Sequence, residues 1–455
     1  MRRRILKLDA YFDRLKGKKV LVLGLGVSNR PLVKLLLRYG IDVTGCDRTP
    51  REQLDAEVLD LERMGAKLHL GEDYLSGIAG DVAFRTPGLH PDKPELIALR
   101  KAGTVITSEM EAFFEVCPCP IIGVTGSDGK TTTTTLISEI LKHAGHRVWL
   151  GGNIGTPLLD RADEMRPEDK VVLELSSFQL MDLHASCHIA VVTNLAPNHL
   201  DMHKDMAEYV NAKKNVFLRQ TADDVLIVNH DNALTEGFAA EAAGKVKRFS
   251  RRERVDGVYV EDGMICRNGT QVLRCEDILI PGVHNIENYM AAIAAVEGMA
   301  SDEDIRFVAK NFGGVEHRIE LVRVKDGVSY YNDSIASSPS RTIAGLRSFR
   351  KKVILIAGGY DKHIPYDALG PEIATHVKLL ICTGATGAKI AAAARAVEGT
   401  PEILEIEDFY EAIRTAAFRA EAGDVVLLSP ASAAFDKFKN FMVRGAEFKK
   451  TVMEL

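Results

Sequence analysis

The segment Gly123-Val-Thr-Gly126-Ser127-Asp128-Gly129-Lys130-Thr131-Thr132 follows the apolar run Pro120–Thr125 and precedes Leu136-Ile-Ser-Glu-Ile-Leu141, which has helical spacing. Strand, glycine loop and helix in that order form a phosphate cradle, because glycines let backbone N–H groups turn toward phosphate oxygens at a helix N-terminus. Lys130 supplies a mobile positive charge for the β/γ-phosphates, and the Thr131 hydroxyl suits Mg2+. The strict pattern G-x-x-x-x-G-K-[ST] would have its first glycine at 124, where Val124 stands. The plainer alternative is a glycine turn beside a surface lysine.

Two more residues belong with this loop. Glu174 closes the apolar stretch Val171-Val-Leu-Glu174-Leu175, and His199 follows the stretch ending at Thr193-Asn194. Both are expected at carboxyl ends of strands, the edge where open parallel sheets gather ligand sites. A carboxylate there can bind Mg2+ and neutralise charge on a transferring phosphoryl group; taken alone, Glu174 reads as an ion-pair partner. His199 and His203 are four apart, a zinc spacing, but Leu200 follows His199 where H-E-x-x-H needs Glu, so His203 reads as a surface histidine. The seven cysteines are scattered without a C-x-x-C pair, which disfavours a zinc site or a disulfide framework.

Near the start, Gly24-Leu-Gly26-Val27-Ser28-Asn29 follows a first apolar run, and Asp47 follows a second. That pattern outlines a nucleotide site. Asn29 stands at the third glycine of G-x-G-x-x-G, which weakens an NAD-dependent dehydrogenase reading.

The elements that must position these residues are short apolar runs alternating with stretches of helical spacing, the signature of parallel α/β sheets. Three sets of runs predict three α/β domains: an N-terminal Rossmann-like domain over 1–108, a central P-loop ATPase-like domain over 109–314 and a C-terminal Rossmann-like domain over 315–455. Lys245–Pro281 reads as a small β insertion in the second. Its basic run Lys247–Arg254 reads as a solvated loop face.

The chain has 455 residues, 46% hydrophobic and 27% charged, with a formal charge of −5. That composition predicts a folded multidomain protein and gives no general field for nucleic acid. Met1-Arg-Arg-Arg-Ile5 is basic, but Asp9, Asp13, Arg14 and Lys16 follow instead of an apolar stretch, so a secretory signal is not expected. No run of about 18 apolar residues occurs, so a membrane-spanning helix is not expected. The protein reads as cytoplasmic.

Taken together, these stretches resemble the Mur ligases, the ATP-dependent amide-forming enzymes of peptidoglycan precursor synthesis. The likeness runs almost end to end and is greatest to the branch that adds D-glutamate. It is carried by Gly126–Thr131, Gly152-Asn153-Ile-Gly155, Glu174-Leu-Ser-Ser-Phe178, Asn194–Asp201, Tyr209-Val-Asn-Ala-Lys213, Gly282–Asn288, His317-Arg318, Asn332-Asp333-Ser334 and Ser429-Pro430.

The resemblance implies substrates and roles. The first domain would hold the UDP of UDP-N-acetylmuramoyl-L-alanine, with Gly24, Gly26, Val27 and Ser28 near the diphosphate and Asp47 near the uridine. Thr86, Pro87 and Gly88 would line that cleft, and Asn153 would meet the muramoyl group. ATP would be held by Gly126, Ser127, Asp128, Gly129, Lys130, Thr131 and Thr132, with Asn285, Asn288, Arg318 and Asp333 around its nucleoside. Thr131, Glu174, His199 and Lys213 would serve two Mg2+ ions, with Lys213 carbamylated by CO2 into an anionic oxygen ligand. Catalysis would rest on Lys130, Glu174, His199 and Lys213. D-Glutamate would meet Ser337, Arg341, Lys362, Ala434 and Phe441.

In the implied reaction the L-alanyl carboxylate takes the γ-phosphate of ATP, and the amine of D-glutamate displaces phosphate from the acyl phosphate. A monomer is expected. Two positions depart from the pattern: Ile335 stands where relatives often carry Lys, and Ala434 where they often carry Ser. A serine nearby (Ser432 or Ser338) or Arg341 is expected to compensate. The rival readings are a sister Mur ligase with another amino acid, a folylpolyglutamate synthase, the dehydrogenase, and a non-catalytic paralogue, which would have lost Lys130, Glu174 or Lys213.

Overall fold

In a computed structural model, residues 6–455 are described; the basic start Met1–Ile5 lies outside them. The described residues fall into two compact units. One holds the chain through Leu273 together with Glu287–Ile305, and the other holds Arg274–Ile286 and Arg306–Leu455.

The first unit contains two sheets. β1 (Lys19–Leu23), β2 (Asp42–Asp47), β3 (Lys67–Leu70), β4 (Val82–Arg85) and β5 (Val105–Thr107) form an all-parallel sheet of order β3-β2-β1-β4-β5. The order reverses at β1, so the loop after β1 opens at the switch point where such sheets take ligands.

The second sheet comprises β6 (Ile121–Thr125), β7 (Val148–Gly152), β8 (Lys170–Glu174), β9 (Ile189–Val192), β10 (Val225–Asn229), β11 (Lys245–Ser250), β12 (Gly257–Glu261), β13 (Met264–Arg267) and β14 (Thr270–Arg274). Their order is β14-β13-β12-β11-β10-β9-β6-β8-β7. The expected small β insertion is therefore an extension of this sheet: β11 runs parallel to β10 and β12 parallel to β11, and only then does the chain turn back antiparallel into β13. Lys247 and Arg248 lie in β11 rather than in a loop, paired with Glu297 and Glu236.

Strands covered on both faces read as unbroken apolar runs, and β6 and β8 are buried almost throughout. One connected core joins the two sheets: Val22, Val43 and Phe84 from the first, Val171 and Val192 from the second, and Met110, Phe113 and Phe114 from the intervening helix Glu109–Val116.

The second unit holds β15 (Glu320–Lys325), β16 (Val328–Asn332), β17 (Val353–Gly358), β18 (Val377–Thr383), β19 (Glu402–Glu405) and β20 (Val425–Leu428), ordered β15-β16-β20-β17-β18-β19. All its neighbours are parallel except β15 and β16. Its two faces are packed separately, one around Leu355 and Leu380 and the other around Ile356, Phe409 and Phe448.

Candidate active site

β6 ends at Thr125, and the loop Gly126–Gly129 leads into the helix Lys130–His143. Val124 sits inside the strand, fully buried and in register with Glu174 and Val191, so the loop starts two residues later than the strict motif would place it. Gly126 and Gly129 have φ of +148° and +77°. A Cβ on Gly126 would lie 1.9 Å from Thr193 Oγ1, and one on Gly129 2.3 Å from Asn288 Oδ1. Only glycine fits either position. The loop is latched to the end of β9: the Ser127 and Asp128 N–H groups donate to the Asn194 carbonyl and Oδ1, and Thr193 Oγ1 donates to the Asp128 carbonyl at 2.6 Å.

Lys130 Nζ donates to the carbonyls of Gly126 and Ser127, both at 2.9 Å. Lys213, on the helix Met206–Lys214, is 1% exposed and donates to Gly126 O at 2.9 Å and Thr125 Oγ1 at 3.2 Å. Burial, with the Lys130 charge added, holds its amine well below the ordinary lysine range; Glu174 and Asp128 oppose the shift. The surrounding walls hold their shape through Tyr209, whose ring lies under Lys213 Nζ and whose hydroxyl meets Ser127 Oγ at 2.9 Å.

Glu174 ends β8 and is 2% exposed. Asn153 Nδ2 donates to its Oε1 at 2.7 Å, while its Oε2 is buried with no hydrogen-bond partner. An unpaired buried carboxylate oxygen is costly, and a hard divalent cation satisfies it with the donor type Mg2+ prefers. His199 adopts φ +55°, which turns it out of the strand path, and burial with the Lys130 charge lowers its pKa. Its ring meets the edge of Phe178 at 5.1 Å. Among the described residues no group of three or more His, Cys, Asp or Glu forms a metal cage. The unpartnered Glu174 oxygen therefore fits a hard cation that takes its remaining ligands from donors other than a carboxylate cage.

The surface-histidine reading of His203 does not hold. His203 is 2% exposed, stacks on Phe178 at 5.3 Å and bonds Ser177 Oγ at 2.9 Å. The N–H of His203 donates to the carbonyl of His199, so one helical turn folds it inward.

In the first sheet, Asp47 accepts from the N–H groups of Leu25 and Thr49, and Asn29 Nδ2 donates to the Gly24 carbonyl. Both Asp47 oxygens thus hold loop backbone. Gly24 has φ +90°, and a Cβ there would lie 2.7 Å from Thr86 Cγ2, so the Thr86–Gly88 turn rests on the glycine loop. Val27 is 77% exposed at the loop tip, next to Gly26 and Ser28. Ser28 and Pro87 line one cavity with Arg85, Phe178 and Gln179. Arg85 escaped the sequence reading, since nothing local marks an arginine as buried.

In the second unit, Asp333 follows β16 and accepts from Ser429 Oγ at 2.7 Å. Burial pushes its carboxyl up to about 7, against the pull of Ser429, the Ile319 N–H, Arg318 and Arg341. Asn285 Nδ2 donates to the Pro281 carbonyl. Arg341 and Lys362 are exposed, Ser337 is half-buried, Ala434 is 2% exposed and Phe441 opens the last helix. Ser432 cannot supply the hydroxyl expected to replace that of a serine at 434, because its Oγ is engaged by Tyr366 OH at 2.8 Å and Thr386 Oγ1 at 2.7 Å. Arg444 was also missed. Its buried guanidinium ties Ser334 to the carbonyls of Ser432 and Ala433, holding together the loops that carry Asp333 and Ala434.

Residues 124–296 match the model of the Mur ligase middle domain, and residues 317–432 that of the Mur ligase glutamate ligase domain. The chain is 53% identical to the UDP-N-acetylmuramoylalanine–D-glutamate ligase of Acetivibrio thermocellus, over 98% of each chain. It is 50% identical to the protein of the same name from Clostridium botulinum strain Alaska E43, over 96% of this chain and 97% of that one. Among solved structures it is similar in fold to the UDP-N-acetylmuramate-alanine ligase of Thermotoga maritima, with a TM-score of 0.59, 18% identity, and coverage of 96% of this chain and 99% of that one.

Proposed function

The chain belongs to the Mur ligase family, and from that premise we propose that it joins D-glutamate to UDP-N-acetylmuramoyl-L-alanine with cleavage of ATP, as a cytoplasmic monomer in cell-wall precursor synthesis. The observation that carries this reading is the meeting of three groups at one sheet edge. Lys130 and Lys213 converge on the Gly126 carbonyl, and their charges are coupled to Glu174, whose second oxygen lacks a partner.

In this reading the domain boundaries fall near residues 108 and 314. Gly24–Ser28, Asp47 and Thr86–Gly88 bind the UDP moiety, and Asn153 orients the muramoyl group while it holds Glu174. The loop Gly126–Thr132 binds the ATP phosphates; Asn285, Asn288, Arg318 and Asp333 serve its nucleoside. Glu174, His199, Thr131 and a carbamylated Lys213 would hold Mg2+, which when bound lowers the charge on the phosphates and their transition state. Carbamylation requires a neutral amine, and burial beside Lys130 shifts the Lys213 amine toward that state.

The L-alanyl carboxylate attacks the γ-phosphorus, the bond to the β-phosphate oxygen breaks, and ADP leaves. Lys130 follows the charge that builds on the transferring group. The D-glutamate amine, oriented by Lys362, Arg341 and Ser337, then attacks the acyl carbon, loses a proton and expels phosphate. Ile335 and Ala434 keep a second reading open, a sister ligase for another amino acid. Phosphate release from ATP with UDP-N-acetylmuramoyl-L-alanine, measured separately with D-glutamate, L-glutamate, L-lysine and diaminopimelate, tests both. D-Glutamate should give the fastest release; a faster rate with another amino acid selects the second reading, and no release with any of the four removes both.

A further inference from the structure

Arg85 ends β4, where its register with Leu23 places it at the carboxyl edge beside Gly24. It is only 2% exposed. Its Nη1 donates to the carbonyls of Leu89 at 2.6 Å, Thr86 at 3.2 Å and Pro87 at 3.2 Å, so the turn that follows is wrapped around the guanidinium. Its Nη2 donates to the Phe178 carbonyl of the other sheet at 3.4 Å, and its Nε faces Asp182 at 3.5 Å. Asp182 is shared with Arg100 at 3.1 Å.

A buried cation is tolerated only when its donors are met. Here the donors are met by two segments with different tasks. The Thr86–Leu89 turn rests on Gly24 of the glycine loop, while Phe178 lies four residues beyond Glu174 with its ring in contact with those of His199 and His203. Arginine's planar fork can bridge such segments, whereas lysine's point charge cannot hold both in fixed geometry.

We propose that Arg85 is a positioning residue that locks the nucleotide-side turn Thr86–Leu89 in register with the Phe178 segment, so that nucleotide bound at the first sheet steadies the Glu174–His199 edge of the second. This rests on the proposed function for the identity of the nucleotide. Misplacement of a bound reactant by about 1 Å typically costs two orders of magnitude in rate, the scale on which such a lock matters.

Two measurements test it. In the wild-type protein, millimolar UDP alone should slow amide exchange both in residues 86–89 and in residues 176–182. In Arg85→Lys, UDP should still protect the glycine loop but no longer residues 176–182, the KM for UDP-N-acetylmuramoyl-L-alanine should rise about tenfold, and the KM for ATP should stay within twofold; Arg85→Met should lose about a hundredfold in kcat/KM. Protection in the wild type confined to the first sheet, or absent, overturns the proposal. So does an Arg85→Lys protein with a lowered Tm but an unchanged KM, since that is a purely structural role. If Arg85→Met does not fold, Arg85→Lys and the wild-type exchange decide. A wild-type enzyme that releases no phosphate defeats the proposed function instead, and the exchange measurement with UDP still decides the coupling.

Discussion

Lys130 and Lys213 donate to the same oxygen, the Gly126 carbonyl, each at 2.9 Å. Two cations on one acceptor repel, and burial together with the Lys130 charge holds the Lys213 amine well below the ordinary lysine range. The proposed function gives the two lysines different tasks, one as a mobile cation and one as a nucleophile toward CO2.

Lys213→Ala should reduce turnover by two to three orders of magnitude, about the loss seen when one preorganised charged group is removed from an active site. Short carboxylic acids should restore part of it by occupying the vacated carbamate position. Native mass spectrometry of the wild type should show the mass of one added CO2, lost when bicarbonate is depleted.

Lys130→Ala should abolish phosphate release while calorimetry finds the affinity for UDP-N-acetylmuramoyl-L-alanine within about twofold of wild type, because the proposed function assigns different ligands to the glycine loop after β1 and the loop after β6. A collapse of that affinity in a folded variant would count against the assignment of the UDP site to the first sheet.

With Ser432 engaged by Tyr366 and Thr386, Arg341 becomes the main candidate to meet the distal carboxylate of D-glutamate. Arg341→Ala should raise the KM for D-glutamate by one to two orders of magnitude, the scale of a lost bond to a charged group, about 1.5 to 3 kcal/mol. Ala434→Ser should lower it. Steady-state kinetics that leave both values unchanged would refute this account of the pocket.

Glu109 opens the helix between the first two sheets, and burial pushes its carboxyl from 4.5 up to about 7, against the pull of the Leu159 N–H. Its folded pKa lies above the unfolded one, so its contribution to stability is fully present below 4.5, is lost as pH rises to about 7, and is constant above. Thermal melts of Glu109→Gln should show a flatter fall across that window, by up to about 1.4 kcal/mol per pH unit.

Central strands such as Val171-Val-Leu and Val353-Ile-Leu-Ile were legible because parallel strands covered on both faces must be apolar throughout, whereas the interior strand β16, Val328-Ser-Tyr-Tyr-Asn332, breaks that pattern and was not read. The edge strands β3 and β19 were not, since four half-exposed residues carry little pattern. The phosphate loop could be read from its glycines, each forced by a neighbour closer than any Cβ allows. Lys213 was readable only through its surrounding motif, because burial of a lysine has no local mark. His203 was misread, as spacing from His199 does not say which way a helical turn faces. Arg85 stayed hidden because its burial depends on the turn after β4 folding back over it and on Phe178 of the other sheet, and Arg444 because Ser334 lies 110 residues away.

The core that runs unbroken from Val22 through Phe113 to Val192 has a bearing on how the chain melts and how it can be divided. Three sheets suggest three modules, yet a fragment ending near residue 108 would forfeit the helix Glu109–Val116 and bare the apolar residues it covers. Scanning calorimetry should therefore resolve two endotherms rather than three, with the first two sheets unfolding in one cooperative step. For the same reason, grafting another nucleotide-binding module onto the second sheet would demand a rebuilt hydrophobic seam and not merely a new linker.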